Sequence, residues 1–132
     1  MRDIKFRMWE KKSKKMYDVE RINFKDHLLN MWNSKFYSSS LLGFEAVEIM
    51  QYTGLKDKKG KEIYEGDIVK THFIGGDGVE NDEIIFDRGC FCVNYSEDYH
   101  PLLNELNHCS EVIGNIYENP ELLEEGEIKW EK

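Results

Sequence analysis

The stretch Met50–Lys70, MQYTGLKDKKGKEIYEGDIVK, decides the fold because it places strand-forming residues around three glycines. Its polar segment Asp57–Gly60 is typical of a tight turn, in which Asp57 caps the turn and Gly60 takes the left-handed conformation. A ligand-binding loop would need converging hydrogen-bond donors beside the glycines, whereas these lysines lie at a turn tip. The stretch therefore predicts two strands joined by a turn, with a second sharp bend at Gly66-Asp67.

The β pattern continues on both sides of this stretch. β-Branched and aromatic residues alternate with polar ones in four segments: Ala46–Gly54, Lys61–Ile74, Asn81–Tyr95 and Ser110–Asn119. Asp87-Arg88-Gly89 divides the third segment into two strands, because Gly89 can take positive φ without steric cost. Four or five short strands so closely spaced predict a small barrel or a strongly bent sheet.

The N-terminal region is predicted to be a β-hairpin followed by a short helix. Ile4, Phe6 and Met8 alternate with polar residues and Trp9, and the polar run Glu10–Lys15 forms the turn. One face of this hairpin is apolar and needs a cover, since an isolated two-stranded hairpin is marginal in water. Phe24–Phe36 has apolar residues at helix-compatible spacing, which favours a short helix.

Length and composition restrict the classes of protein to which the chain can belong. A chain of 132 residues can bury roughly two thirds of its unfolded surface and fold without disulfides. No apolar run reaches the ~20 residues that a membrane span needs, and the N-terminus lacks a signal-peptide pattern, so we expect a cytoplasmic protein with no membrane partner. Three cysteines are an odd number, which favours reduced thiols.

The net charge of −8 is distributed unevenly. Met1–Lys61 holds 14 basic against 8 acidic residues, a balance of +6, and Glu62–Lys132 holds 4 against 18, a balance of −14. One explanation is that these charges simply keep turns and loops solvated. The other is that the two halves attract each other, within one chain or between copies, with a strength that salt would screen.

The residues that could ligate a metal ion are Cys90, Cys92, His108 and Cys109. Thiolates and imidazole are zinc ligands, but a C-x-C pair on a strand does not point both sulfurs at one metal as the usual C-x2-4-C turn does. Buried thiols acting as small apolar residues are the preferred explanation, and we predict no metal and no cofactor. The segment Gly75–Glu83, GGDGVENDE, is predicted to be a hairpin loop, because it has neither P-loop nor EF-hand spacing and its acids would repel a phosphate. A weak cation site is the alternative.

No arrangement of nucleophile and base has a recognisable spacing, so we expect no enzyme and no catalytic residues. Nucleic-acid binding has a better physical basis, because small barrels bind single strands through aromatic residues in a basic surface. The basic residues of the N-terminal hairpin would supply this surface, but the strongly acidic remainder of the chain would oppose a phosphate backbone.

Three segments together carry a family resemblance: IKFRMWEKKSKKMYDV (Ile4–Val19), MQYTGLKDKKGKEIYEGDIV (Met50–Val69) and SEVIGNIYENPELL (Ser110–Leu123). In spacing and in residues they resemble the YopX-like family of small phage and prophage proteins. This resemblance implies a mainly β (α+β) chain, with an SH3-like small β-barrel in the C-terminal part preceded by the N-terminal β-hairpin and short helix. It implies no enzymatic activity and no catalytic residues.

The domains predicted are residues 1–45, the hairpin and short helix, and residues 46–132, the SH3-like β-barrel with a short C-terminal tail. The function expected is that of a non-enzymatic phage accessory protein that binds protein and forms a homo-oligomer, with a phage or host protein as a further partner. The alternative is a nucleic-acid-binding protein that uses the basic hairpin. The candidate interaction surface comprises Trp9, Lys11, Lys12, Tyr52 and Tyr64.

Overall fold

A computed structural model describes residues 2–33, 38–72 and 79–123 of the chain. The chain is mainly β, and the described strands form two antiparallel sheets. It divides into two compact units, Met1–Tyr52 and Thr53–Lys132. The predicted loop Gly75–Glu83 is described only from Val79 onward, where the chain is a strand paired with residues 68–72, so the loop prediction is wrong for residues 79–83. Residues 75–78, the end of the predicted helix at Phe36 and the tail beyond Leu123 lie outside the described residues.

The first unit is a single antiparallel sheet of five strands in the order β4-β3-β2-β1-β5. β5 begins in this unit and continues into the second one. The strands are β1 (Phe6–Glu10), β2 (Lys15–Asn23), β3 (Leu28–Asn33), β4 (Ser38–Gly43) and β5 (Val47–Lys56).

The predicted N-terminal hairpin is confirmed as β1 and β2, which pair from Arg7↔Asp18 to Glu10↔Lys15. It does not stand alone, because β1 also pairs with β5 and β2 with β3. Met8, on the apolar face, is fully buried in a core cluster with Leu29, Met31 and Val47. Most of the apolar face that was predicted to need a cover is therefore covered by the unit itself, and Ile4 remains 61% exposed.

The predicted helix over Phe24–Phe36 is wrong, because Leu28–Asn33 forms strand β3. Leu29 and Met31, two residues apart, are both buried, which is the period of a strand. The connection from β2 is a tight turn in which the Asn23 side chain accepts the backbone N–H of Asp26 at 3.0 Å and His27 adopts a φ of +55°. Pairing with β2 and β4 thus prevails over a spacing that also suited a helix.

The second unit contains the remaining strands and a short helix. They are β6 (Glu62–Tyr64), β7 (Asp67–His72), β8 (Val79–Asp87), β9 (Cys90–Val93), α1 (Leu103–Leu106) and β10 (Ser110–Asn115). β6 adds to the end of β5, where the Thr53 hydroxyl donates a 2.7 Å hydrogen bond to the Ile63 carbonyl. β10-β7-β8-β9 is the order of the four-stranded sheet. Strand pairing among the described residues does not close this sheet, so the closed barrel that the resemblance implied is wrong for the described part of the chain, which forms open antiparallel sheets.

The core of the second unit lies on one face of the four-stranded sheet. It comprises six buried side chains, Ile63, Val69, Ile84, Val93, Leu103 and Val112. α1 supplies Leu103, which anchors the segment that follows β9 onto the sheet. Both units therefore bury an apolar cluster of their own.

Turn chemistry in the stretch Met50–Lys70 is as predicted. The Oδ1 atom of Asp57 accepts the backbone N–H groups of Lys59 and Lys61, both at 2.9 Å, and Gly60 has a φ of +83°. Gly66 has a φ of +84° and leads directly into β7. These glycines serve the backbone geometry.

Candidate functional site

A concave surface lies in the second unit, beside the turn between β8 and β9. It has a volume of about 500 Å³, and we call it the Tyr99 groove. It is lined by the acids Asp87, Glu97 and Asp98, by Arg88 and His100, by Tyr99 and Leu102, and by Cys90 and Cys92. A second depression of about 340 Å³ shares Tyr99 and continues past Pro101 towards Leu106.

Two local structures position the groove. The β8–β9 turn has a φ of +51° at Arg88 and of +78° at Gly89, the pair of positive values that a two-residue type I′ hairpin turn requires. This agrees with the predicted turn at Asp87-Arg88-Gly89. The Arg88 side chain is 94% exposed and lies 4.0 Å from Asp87.

The second structure is the turn Ser96–Tyr99. The Ser96 hydroxyl accepts the backbone N–H of Tyr99 at 3.0 Å, and the Ser96 backbone N–H bonds to the Tyr99 carbonyl at 3.1 Å. Glu97 and Asp98, at the tip of this turn, are exposed. The chain then returns to the edge of β9, where the Val93 N–H donates to the Pro101 carbonyl at 2.9 Å. A short turn fastened at both ends thus holds two carboxylates at the groove.

The groove combines aromatic surface with hydrogen-bond acceptors. Tyr99 is 59% exposed, and its ring meets that of Tyr95 edge to face at 6.1 Å between centroids. Leu102 is 38% exposed. The Nδ1 atom of His100 is buried and has no hydrogen-bond partner among the residues described. Such a surface suits a ligand that donates hydrogen bonds and carries positive charge.

The two cysteines of β9 share this face, as their spacing predicted, but their environments differ. The predicted burial of the thiols is confirmed for Cys92 but is wrong for Cys90, which is exposed because it lies at the start of β9, beside the β8–β9 turn. Burial raises the pKa of Cys92, and the neighbouring Cys90 and Asp87 raise it further, so Cys92 is a protonated thiol at neutral pH. Its Sγ lies 3.6 Å from the Cys90 carbonyl oxygen. A protonated thiol is neither a good nucleophile nor a metal ligand.

Cys109 lies apart from this pair in a turn after α1, where its Sγ contacts the Leu106 carbonyl at 3.3 Å. His108 is in the same turn. Within the described ranges, no three His, Cys, Asp or Glu side chains are grouped so that they could hold a metal ion. None of the helices in that part of the chain is long and apolar enough to cross a membrane.

The residues of the predicted interaction surface are distributed over both units. Trp9 is half-buried on β1, and Lys12 is exposed in the β1–β2 turn. Tyr52 is 5% exposed, with the Lys5 ammonium 5.0 Å from its ring centroid, so it contributes little to a surface. Tyr64, in the second unit, is half-buried.

Lys11 is already engaged within its own unit. Its Nζ donates to the Glu45 carbonyl at 3.2 Å and lies 3.5 Å from a carboxylate oxygen of Glu48. By contrast, the side chains of Lys12, Lys14 and Lys15 are exposed and form no ion pair with any described residue. We call residues 12–15 the lysine turn.

Sequence reasoning missed the Tyr99 groove as a site. The β8–β9 turn was predicted, but only as part of the fold. Cys90 and Cys92 were considered only as candidate zinc ligands, not as part of a groove. A signal was present in Ser96-Glu97-Asp98-Tyr99, where a turn-capping residue, two acids and an aromatic residue are consecutive.

Comparison with known proteins places the chain in a family. The model of the YopX protein family matches residues 5–124. Among solved structures, protein EF1440 from Enterococcus faecalis is 29% identical, with a TM-score of 0.64 over 93% of this chain and 99% of that one. Protein yopX from Bacillus subtilis is 25% identical, with a TM-score of 0.66 over 90% of this chain and 97% of that one. No curated protein matches. The chain therefore belongs to the YopX protein family.

Proposed function

We propose that this chain is a non-enzymatic accessory protein of a phage or prophage, and that it binds protein, including further copies of itself. The observation that carries the proposal is the separation of charge between the two compact units. The first unit, residues 1–52, holds 10 basic against 7 acidic residues, a balance of +3. The second unit, residues 53–132, holds 8 against 19, a balance of −11.

Unlike charges on separate units favour association between the first unit of one copy and the second unit of another. The charges are also available for contact, because the lysine turn is exposed and unpaired among described residues and the acids of the Tyr99 groove are exposed at a turn tip. Apolar surface adds to this, since Phe86 is 54% exposed and Phe24 is 67% exposed. Large exposed aromatic side chains are enriched at sites of protein association.

Sedimentation velocity of the full chain at low and high salt tests this proposal. At about 50 mM NaCl the Debye length exceeds 10 Å and we expect an oligomer, whereas at about 500 mM NaCl screening should shift the distribution towards the monomer. A chain that is monomeric in both buffers over a wide concentration range would contradict self-association.

The alternative, nucleic-acid binding through the basic hairpin, rests on Lys12, Lys14 and Lys15, which form no ion pair with any described residue. Each phosphate contact releases counterions, so retention of DNA or RNA would fall steeply with salt. Replacing Lys12, Lys14 and Lys15 by Ala should abolish retention, and Lys11→Ala is the matched control because Lys11 is engaged by Glu45 and Glu48. The absence of any shift at low salt with single- or double-stranded nucleic acid would end this alternative.

The finer fold assignment belongs to the same proposal. We propose that β6 to β10 form an SH3-like arrangement, which the short strands, the sharp bend at Gly66 and the bulge between Val112 and Gly114 in β10 support. An experimental structure in which the second unit superposes on no SH3-like domain would reject this assignment.

A further inference from the structure

We propose that the Tyr99 groove is a docking site for the lysine turn of a second copy of this chain. This inference rests on the proposed self-association and names the two surfaces that meet. The groove and the lysine turn are different surfaces on different units, so the contact is heterologous, and repeated copies would close into a ring or extend as a chain.

The groove supplies what an ammonium group recognises. Glu97 and Asp98 are exposed at the tip of a fastened turn and form no ion pair with any described residue. Carboxylate oxygens only accept hydrogen bonds, and an ammonium group only donates them, so the two exposed acids supply the charge and the acceptors that a lysine needs.

The Tyr99 ring adds an aromatic face that a lysine ammonium can approach, because the ring carries negative charge density above its plane. Arg88 also lines the groove, but its Nε lies 4.0 Å from Asp87, whereas Glu97 and Asp98 form no ion pair with any described residue. The groove therefore keeps its acidic character.

The lysine turn complements the groove because it exposes three ammonium groups on a turn of defined conformation. Lys12, Lys14 and Lys15 are exposed and unpaired within the described residues, and an ammonium group only donates hydrogen bonds. The turn has a defined shape, because the Lys14 N–H bonds to the Glu10 carbonyl at 2.8 Å and Lys14 has a φ of +55°. A turn already fixed in its conformation loses little entropy on docking.

Charge reversal tests the pairing on the full chain. The groove variant carries Glu97→Lys and Asp98→Lys, and the turn variant carries Lys12→Glu and Lys14→Glu. We expect each variant alone to weaken self-association by about tenfold or more in sedimentation velocity at low salt, since like charges would then face each other. An equimolar mixture should associate again, because each variant then offers a surface of opposite charge to the other.

The control is Asp3→Lys with Glu121→Lys, which changes the charge by as much as the groove variant does on two exposed side chains outside both surfaces. This control should associate like the unmodified chain. If the unmodified chain associates but the reversed variants associate equally well, or if mixing fails to restore association, the docking site is wrong while self-association stands. If the unmodified chain is monomeric at low salt, the proposed function itself fails.

Discussion

Asp57 shows how much of the turn in Met50–Lys70 depends on one buried carboxylate. Its Oδ1 accepts two backbone N–H groups of its own turn, and its Oδ2 accepts the Val112 N–H of β10 at 2.9 Å. Burial alone would raise the pKa of Asp57, but the hydrogen bonds from Val112, Lys61 and Lys59 outweigh it and lower the pKa. One side chain thus holds the turn and fastens it to a strand far away in the sequence.

Asp57→Asn should lower the free energy of unfolding at about pH 7 by roughly 2 kcal/mol, because an amide nitrogen cannot accept the Val112 N–H. Since folding lowers this pKa, the stabilisation is present above the ordinary value near 3.8 and is lost as the pH falls below it. Urea unfolding near pH 7 and near pH 2.5 should therefore show the difference shrinking in acid. Asp98→Asn, at an exposed site, is the control, and equal loss in both variants would contradict the role of Asp57.

Gly60 provides a second test at the same turn. Its φ of +83° strains any residue with a Cβ, although the space around it is open. Gly60→Val should cost about 2 kcal/mol of stability by thermal or urea unfolding, because a β-branched residue tolerates this conformation poorly. Gly60→Asn should cost clearly less, since Asn tolerates the left-handed region. Equal stability of the two variants would show that backbone strain is not the reason for glycine here.

These residue-level features could be predicted from the sequence because their physics is local. Asp57 caps its own turn with its side chain, and Gly60, three residues later, supplies the left-handed backbone conformation. At Arg88-Gly89 the glycine likewise marks the turn in the sequence. The Val112 hydrogen bond to Asp57 could not be predicted, because it joins residues that only the fold brings together.

At the scale of elements, β8 carries an unusual pair of carboxyl groups. Glu80 and Asp82 lie two residues apart, opposite Thr71 and Val69 of β7, on the face that carries the core residue Ile84. Burial, the charge of Glu80 and a hydrogen bond with Glu80 raise the pKa of Asp82 to about 7. Burial also raises the pKa of Glu80. The pair therefore holds a proton near neutral pH.

The pair should make the second unit less stable as the pH rises. Because folding raises the pKa of Asp82, the stability it contributes is fully present below the ordinary value near 3.8 and is lost as the pH rises through about 7. Glu83 acts in the same direction, since burial and the charge of Glu65 raise its pKa. Unfolding free energies measured at about pH 5 and about pH 8 should differ by roughly 2–3 kcal/mol.

Asp82→Asn should remove most of this dependence, because its amide can donate to Glu80 at every pH as the protonated acid does. The exposed Asp98→Asn variant should keep the dependence of the unmodified chain. If Asp82→Asn keeps it as well, the paired carboxyls are not its source.

Strand β3 shows where element-level prediction fails. Leu28, Leu29, Met31 and Trp32 fit a helical spacing as well as a strand, and the choice is made by pairing with β2 and β4. The hairpin β1–β2 and the strands from β5 onward were predictable, because alternation and turn signals coincide there. The open sheet was not, because closure depends on which distant strands meet at the edges.

At the scale of the whole molecule, the charge is the main guide to function. The charge asymmetry is visible in the sequence. The division into compact units gives the first unit a net charge of +3 and the second a net charge of −11. The Tyr99 groove was beyond sequence analysis, because its lining comes from the β8–β9 turn, the strand β9 and a loop that returns to the edge of β9. The lysine turn was visible as a basic run, but the engagement of Lys11 by Glu45 and Glu48 was not.

The most direct measurement is zero-length carbodiimide cross-linking of an equimolar mixture of unlabelled and heavy-isotope-labelled chains at low salt, read by mass spectrometry. This reagent joins an amine to a carboxylate only when the two are in contact. We predict cross-linked peptides that join Lys12, Lys14 or Lys15 to Glu97 or Asp98 and that carry one labelled and one unlabelled half. If these peptides are absent while the chains associate, or if both halves always come from the same chain, the contact between copies is contradicted.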